Sequence, residues 1–195
     1  MVKDAVHLDL KPDNVLIFPG SENEPKYVAK LADFGLSEVV WGDRTVQLRR
    51  ADIWSAPENE SGKKCSAAEA KKVDIYMFAL TCVWALFYEQ LRELEKHENN
   101  ERVLREYRTI LNSNGGVSTE RTGLLALKNA GPDAVLAFAK IAIATLSGPH
   151  ARACSFLIEA LIPDPNARLH SLEGIELFTW RDKYAVSHRF DSRNY

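Results

Sequence analysis

Cysteine is scarce in this 195-residue chain: only Cys65, Cys82 and Cys154, odd in number, far apart and never at C-x-x-C spacing. That argues against a disulfide scaffold or a thiolate metal site and for free thiols in a reducing compartment. Charge of one sign is lacking too. The net charge is −2, which gives no basic surface for nucleic acid or for a membrane. No apolar run is long enough to cross a bilayer. The longest, Ile75 to Tyr88, is broken only by Thr81 and falls short of the roughly 20 residues a span requires. The first residues lack the basic-then-apolar pattern of a secretion signal, so a cytoplasmic or otherwise intracellular location is expected. Ten glycines occur, yet none forms G-x-G-x-x-G.

What is present is ordinary globular composition, 46% hydrophobic and 27% charged, which suits one domain. Val15–Phe18 and Tyr27–Leu31 read as strands, and "PGSENEP" between them is turn chemistry, so a hairpin is expected. After about residue 65 the pattern turns helical. Ser66 and Glu69 have capping-box spacing, and a helix buried on all sides follows from Asp74. Val103, Leu104, Tyr107, Ile110 and Leu111 recur at helical spacing, and Asn112–Gly116 is a loop. Asp133 is placed to cap the apolar stretch after it. Further helices are expected near Ala151–Leu161, ended by Pro163 and Pro165, and over Ser171–Trp180. The residues from Lys183 are polar and read as a tail. His97, His150, His170 and His188 show no metal-ligand spacing.

The chemistry-bearing residues concentrate early. "HLDLKPDN" at His7–Asn14 enters the hairpin, and "LADFGLS" at Leu31–Ser37 leaves it. A hairpin returns the chain to its origin, so Asp9 and Asp33 can face one site. "APE" follows at Ala56–Glu58, "DIYMFAL" at Asp74–Leu80, and "PDPNARL" at Pro163–Leu169. "DIWS" at Asp52–Ser55 imitates the start of the long helix, but Pro57 would break a helix there.

Taken in this order, these stretches resemble the C-terminal lobe of a eukaryotic-type protein kinase over roughly residues 4–180. The implied fold is mainly α with a small β-hairpin, a protein-kinase-like C-lobe (α+β). Residues 1–182 would be a partial kinase domain and 183–195 a polar tail. The resemblance implies ATP-dependent phosphoryl transfer to protein hydroxyls, a chemistry dominated by positioning and charge neutralisation. It implies Asp9 as acceptor of the substrate proton and Lys11 at the transferring phosphate. It places Asn14 and Asp33 on magnesium ions, which prefer oxygen ligands, and Leu16 under the adenine ring. It also pairs Glu58 with Arg168, makes Asp74, as first residue of the central helix, the anchor of the loop backbone, and stacks His7 with Phe34 in the core. The lysine of "DLKPDN" favours serine/threonine over tyrosine kinases. Ser37, Thr45 and Ser55 lie where activating phosphates often sit.

Several positions depart from the family pattern. Leu8 replaces an arginine that binds an activation-segment phosphate, and leucine cannot pair with phosphate. Ala51 replaces a threonine commonly bonded to the catalytic aspartate and lysine. Met77, Ala79 and Leu169 are smaller departures. No glycine-rich loop is present, and the few residues before His7 leave no room for the N-terminal lobe or for the helix that precedes the catalytic loop. The expectation is therefore a chain that opens at its catalytic loop and transfers phosphate weakly or not at all alone. The alternative is a non-catalytic half-kinase that binds proteins. The missing helix would leave one side of the central helix uncovered, a surface for a partner.

Overall fold

A computed structural model describes residues 3–21, 25–49, 52–59, 62–96 and 122–173. Three two-stranded antiparallel ribbons precede a set of helices. Strand β1 (Lys3–Val6) pairs with β4 (Glu38–Trp41), in register from Lys3 with Trp41 to Val6 with Glu38. Between them lies the hairpin of β2 (Val15–Pro19) and β3 (Tyr27–Leu31), running from Val15 with Leu31 to Pro19 with Tyr27. Strand β5 (Val46–Gln47) pairs with β6 (Lys64–Cys65). The central hairpin has the expected bounds, extended by Pro19. The other two ribbons were not anticipated, because their strands are two to four residues long and their partners distant in sequence. Such strands carry little local pattern.

The organising element is α1 (Ala67–Leu86). The capping box forms in both directions: the Ser66 hydroxyl accepts from the Glu69 N–H, and the Ser66 N–H donates to the Glu69 carboxylate. These bonds hold the Glu69 carboxyl below its ordinary pKa. The helix therefore starts seven residues before Asp74, correcting the expected start. Ala67, Ala70 and Val73 are already buried, and nothing between Ser66 and Asp74 breaks a helix. Past Asp74 the helix is buried nearly all round, with Met77, Ala79, Leu80 and Val83 wholly covered. "DIWS" forms only a single 3₁₀ turn at Asp52–Trp54.

The remaining helices close the core. They are α2 (Tyr88–Lys96), α3 (Thr122–Ala130), α4 (Ala134–Ala144), α5 (Gly148–Cys154) and α6 (Phe156–Ala160). Gly123 of α3 lies against α2 so closely that a Cβ there would sit 2.5 Å from the Leu91 carbonyl oxygen. Only glycine fits that approach. Two local expectations change. Asp133 precedes α4 but its side chain makes no cap bond. The helix expected at Ala151–Leu161 is two, divided at Ser155, whose hydroxyl bonds back to the Arg152 carbonyl and competes with helix continuation. Ser171 and Leu172 are not helical, and the rest of the Ser171–Trp180 expectation lies outside the described residues, as do Ala51, Val103–Leu111, Asn112–Gly116 and the tail from Lys183.

All three cysteines are free. Burial pushes the Cys82 thiol up to about 12, so it is neutral at physiological pH and packs as a small apolar group.

Arg168 locks the far end of this core. It is fully buried, and its five N–H donors are all used. Two go to Glu58, at 2.5 and 2.9 Å, and the others to the carbonyls of Ile162, Lys72 and Pro163. The guanidinium also lies 4.7 Å from the Tyr76 ring centroid. One side chain thus ties "APE", helix α1 and the loop after α6 together. Removing one partner leaves a buried charge uncompensated. Arg168→Met should therefore lower unfolding free energy by about 3–5 kcal/mol, measured by urea unfolding, whereas the exposed Arg92→Met should change it by less than about 1 kcal/mol.

Candidate active site

The loop between β1 and β2 is held by helix α1 rather than by its own ribbon. The His7 N–H donates to Asp74 Oδ2 at 2.6 Å and the Leu8 N–H to Oδ1 at 2.8 Å. Burial raises the Asp74 carboxyl above its ordinary value, while those two bonds pull it down. Leu8 takes a left-handed backbone, φ 64°, although it is not glycine, and its side chain is buried in the core. A left-handed leucine is strained, and it persists because the clamp and the core fix it from both sides.

That turn delivers Asp9 into a knot of short bonds. Lys11 Nζ donates to Asp9 Oδ2 at 2.8 Å, and Asn14 Nδ2 donates to the same oxygen at 2.9 Å and to the Asp9 carbonyl at 2.8 Å. Pro12 starts the 3₁₀ turn Pro12–Asn14, closed by the Asn14 N–H on the Lys11 carbonyl. Its fixed φ suits that first position. Asp9 and Asn14 are buried and Lys11 half-buried, so the three are fixed before any ligand arrives.

Asp33 arrives from the other strand. The Ala32 N–H donates to the Asn14 carbonyl at 2.9 Å, so the β2–β3 ribbon closes where Asn14 begins and Asp33 follows. Asp33 also has a left-handed backbone, φ 58°. Its Oδ1 accepts from the Gly35 N–H at 3.2 Å, and a Cβ at position 35 would stand 3.2 Å from that oxygen, a close approach that glycine eases. His7 bonds the Ala32 carbonyl through Nε2 at 3.1 Å, bracing this end of the ribbon against the loop. The ring of Phe34 lies 5.1 Å from that of His7 but is 62% exposed, so only His7 is a core residue, against the expectation for the pair. Leu16 shares with Phe18 the ribbon face opposite Ile17 and is half exposed.

The segment from Leu36 to Glu58 is anchored by apolar groups. Val40, Val46, Leu48 and Trp54 are buried, and Trp54 packs edge-on against Trp84 of α1. Lys128 of α3 donates to the Ser55 carbonyl. Of the three hydroxyls singled out, Ser55 is buried and Ser37 bonds the His7 carbonyl, while Thr45 is exposed. The sequence reading missed Asn14's second role. Beyond the cation oxygen expected of it, it supplies the N–H donors that set Asp9.

With this arrangement in view, comparison with known proteins is decisive. Residues 2–176 match the protein kinase domain family. This chain belongs to that family. It is 36% identical over 81 residues to a carbon catabolite-derepressing protein kinase of Secale cereale, and equally to the serine/threonine protein kinases OSK3 and OSK4 of Oryza sativa subsp. indica. Each match covers 40% of this chain and 15% of the relative's length. The family resemblance is thus to protein serine/threonine kinases.

The clamp can be tested apart from activity. In Asp74→Asn one carboxylate oxygen becomes an amide that cannot accept. The His7 and Leu8 amides should then exchange faster with deuterium than other core amides, with stability lower by about 1.5–3 kcal/mol.

Proposed function

We propose that this chain is the C-terminal lobe of a protein serine/threonine kinase and carries the groups that act on the substrate hydroxyl and the transferred phosphate. The observation behind the reading is the convergence of Asp9, Lys11 and Asn14 within 2.9 Å contacts, with Asp33 at the same end of the ribbon. Asp9 accepts the proton of a serine or threonine hydroxyl; its oxygen is already aimed by two donors. Lys11, with three donors on a flexible stem, can leave Asp9 for the transferring phosphate.

The donor set fits magnesium. Asn14 makes its bonds through Nδ2, leaving the amide oxygen for a cation, and Asp33 is an exposed carboxylate beside it in the fold. When bound, ATP supplies the phosphoryl group and Mg²⁺ neutralises its charge. Leu16, exposed on the ribbon, offers an apolar floor for the adenine. The 195 residues contain neither a glycine-rich phosphate loop nor its accompanying strand lysine, so transfer by this chain alone is expected to be weak or absent.

A second reading, a half-kinase acting as an interaction module, draws on one observation. Ile17, Tyr27 and Leu31 leave an apolar ribbon face open.

The test is phosphate incorporation from labelled ATP into a serine/threonine acceptor, using the protein purified from its native cells. Asp9→Asn should lower the rate by about 10²–10⁴-fold while thermal unfolding is unchanged. Equal rates for the two forms would leave the interaction reading. Because Leu8 buries an apolar side chain where a phosphate-binding cation would stand, Thr45→Glu and Thr45→Ala should agree in rate within about twofold. A large difference between them would show a phosphate switch docked elsewhere.

A further inference from the structure

The β1–β4 ladder ends at Val6 with Glu38, and continuing its register sets His7 opposite Ser37. The Ser37 N–H is spent elsewhere. It donates to the Phe34 carbonyl at 3.0 Å and closes the turn that contains Gly35 and Leu36. The half-buried Ser37 hydroxyl acts in its place, donating to the His7 carbonyl at 3.2 Å. A serine side chain thus carries the ribbon one step further than its backbone does.

That carbonyl belongs to the peptide unit between His7 and Leu8. The N–H of the same unit donates to Asp74 Oδ1 at 2.8 Å. The C=O and N–H of a trans peptide point in opposite directions. The unit is therefore held by α1 on one side and by the segment after Asp33 on the other. What this hold resists is specific. Leu8 has φ 64°, a left-handed value that is costly for leucine. Half a turn of the peptide unit would carry Leu8 into the extended region, which leucine adopts freely, and would break both bonds. Asp9 follows directly, so freedom in this unit is freedom in the aim of its carboxylate.

The same hydroxyl bounds the other carboxylate. Ahead of Asp33, Ala32 is joined to the loop twice, through the Asn14 carbonyl at 2.9 Å and the His7 ring at 3.1 Å. Behind Asp33, Ser37 joins the loop at the His7 carbonyl. The six residues Ala32 to Ser37 are thus pinned to the Asp9 loop at both ends, with the left-handed Asp33 between the pins.

We propose that Ser37 is a positioning residue for phosphoryl transfer. Its hydroxyl fixes the His7–Leu8 peptide, and through it the aim of Asp9, and it pins the far end of the segment that carries Asp33. The inference rests on the kinase reading above and adds to it a residue that acts through the backbone rather than on the substrate.

The experiment compares Ser37→Thr, which keeps a hydroxyl, with Ser37→Val, which has the same shape without one, and with Ser37→Ala. Circular dichroism checks that each is folded. In the labelled-ATP assay on the protein from its native cells, the Val and Ala forms should lose about three- to tenfold in kcat, the worth of one hydrogen bond. KM for ATP and for the acceptor should stay unchanged, and the Thr form should keep the wild-type rate. The second readout needs no activity. In nuclear magnetic resonance of the isotope-labelled 195-residue chain, Leu8 should show a strong contact between its amide and its own α-proton, the mark of positive φ. That contact should weaken, and the Leu8 amide broaden, in the Val and Ala forms and not in the Thr form. Identical rates and Leu8 signals in all three forms would overturn the proposal. A lower rate with Leu8 unchanged would overturn the route through the His7–Leu8 peptide. Asp9→Asn inactive beside a Ser37→Val form at the wild-type rate would overturn this inference alone. Asp9→Asn as active as the wild type would instead sink the kinase reading, and the Leu8 signals would still decide whether Ser37 holds the loop.

Discussion

The arrangement of the loop depends on one buried carboxylate. Asp74 sits two turns inside α1, where the helix is covered on nearly every side, and its two oxygens take the amides of two successive loop residues. A charge in such a place is costly unless its lone pairs are used, and the loop backbone uses them. The clamp in turn forces Leu8 into a left-handed turn and so decides where Asp9 points. Position in the site is therefore inherited from the core. The helix that gives the loop its hold starts at the Ser66 cap.

Leu8 shows how two demands meet at one residue. The position needs an unusual backbone and lies where a side chain is swallowed by the core. With leucine there, the following segment is fixed by apolar burial of Val40, Val46, Leu48 and Trp54 and by the two short ribbons, rather than by a cation waiting for a phosphate. Apolar burial does not respond to modification chemistry. At the other end Arg168 does with charge what those groups do without it, using every donor it has.

The β2–β3 ribbon is the part of the fold least supported by its surroundings. It holds Asn14 and Asp33 together at one end, yet most of its apolar side chains face outward.

Much of this was readable in the chain itself. Local signals were strong at the hairpin, where alternation and a Pro-Gly turn coincide, at the Ser66–Glu69 box, and at the ordered motifs around Asp9, Asp33, Glu58 and Arg168. Each of these is set within a few residues, or by a sequence order that physics ties to one chemistry. What could not be read was whatever depends on distant partners. The pairing of β1 with β4, the exposure of Phe34 and the bare ribbon face all fall in that class. The sequence by itself determined which residues are chemically able to act and that a helical core would carry them. Only the tertiary structure decided how they are aimed, because a carboxylate on a buried helix, far along the chain, is what bends the loop that holds Asp9.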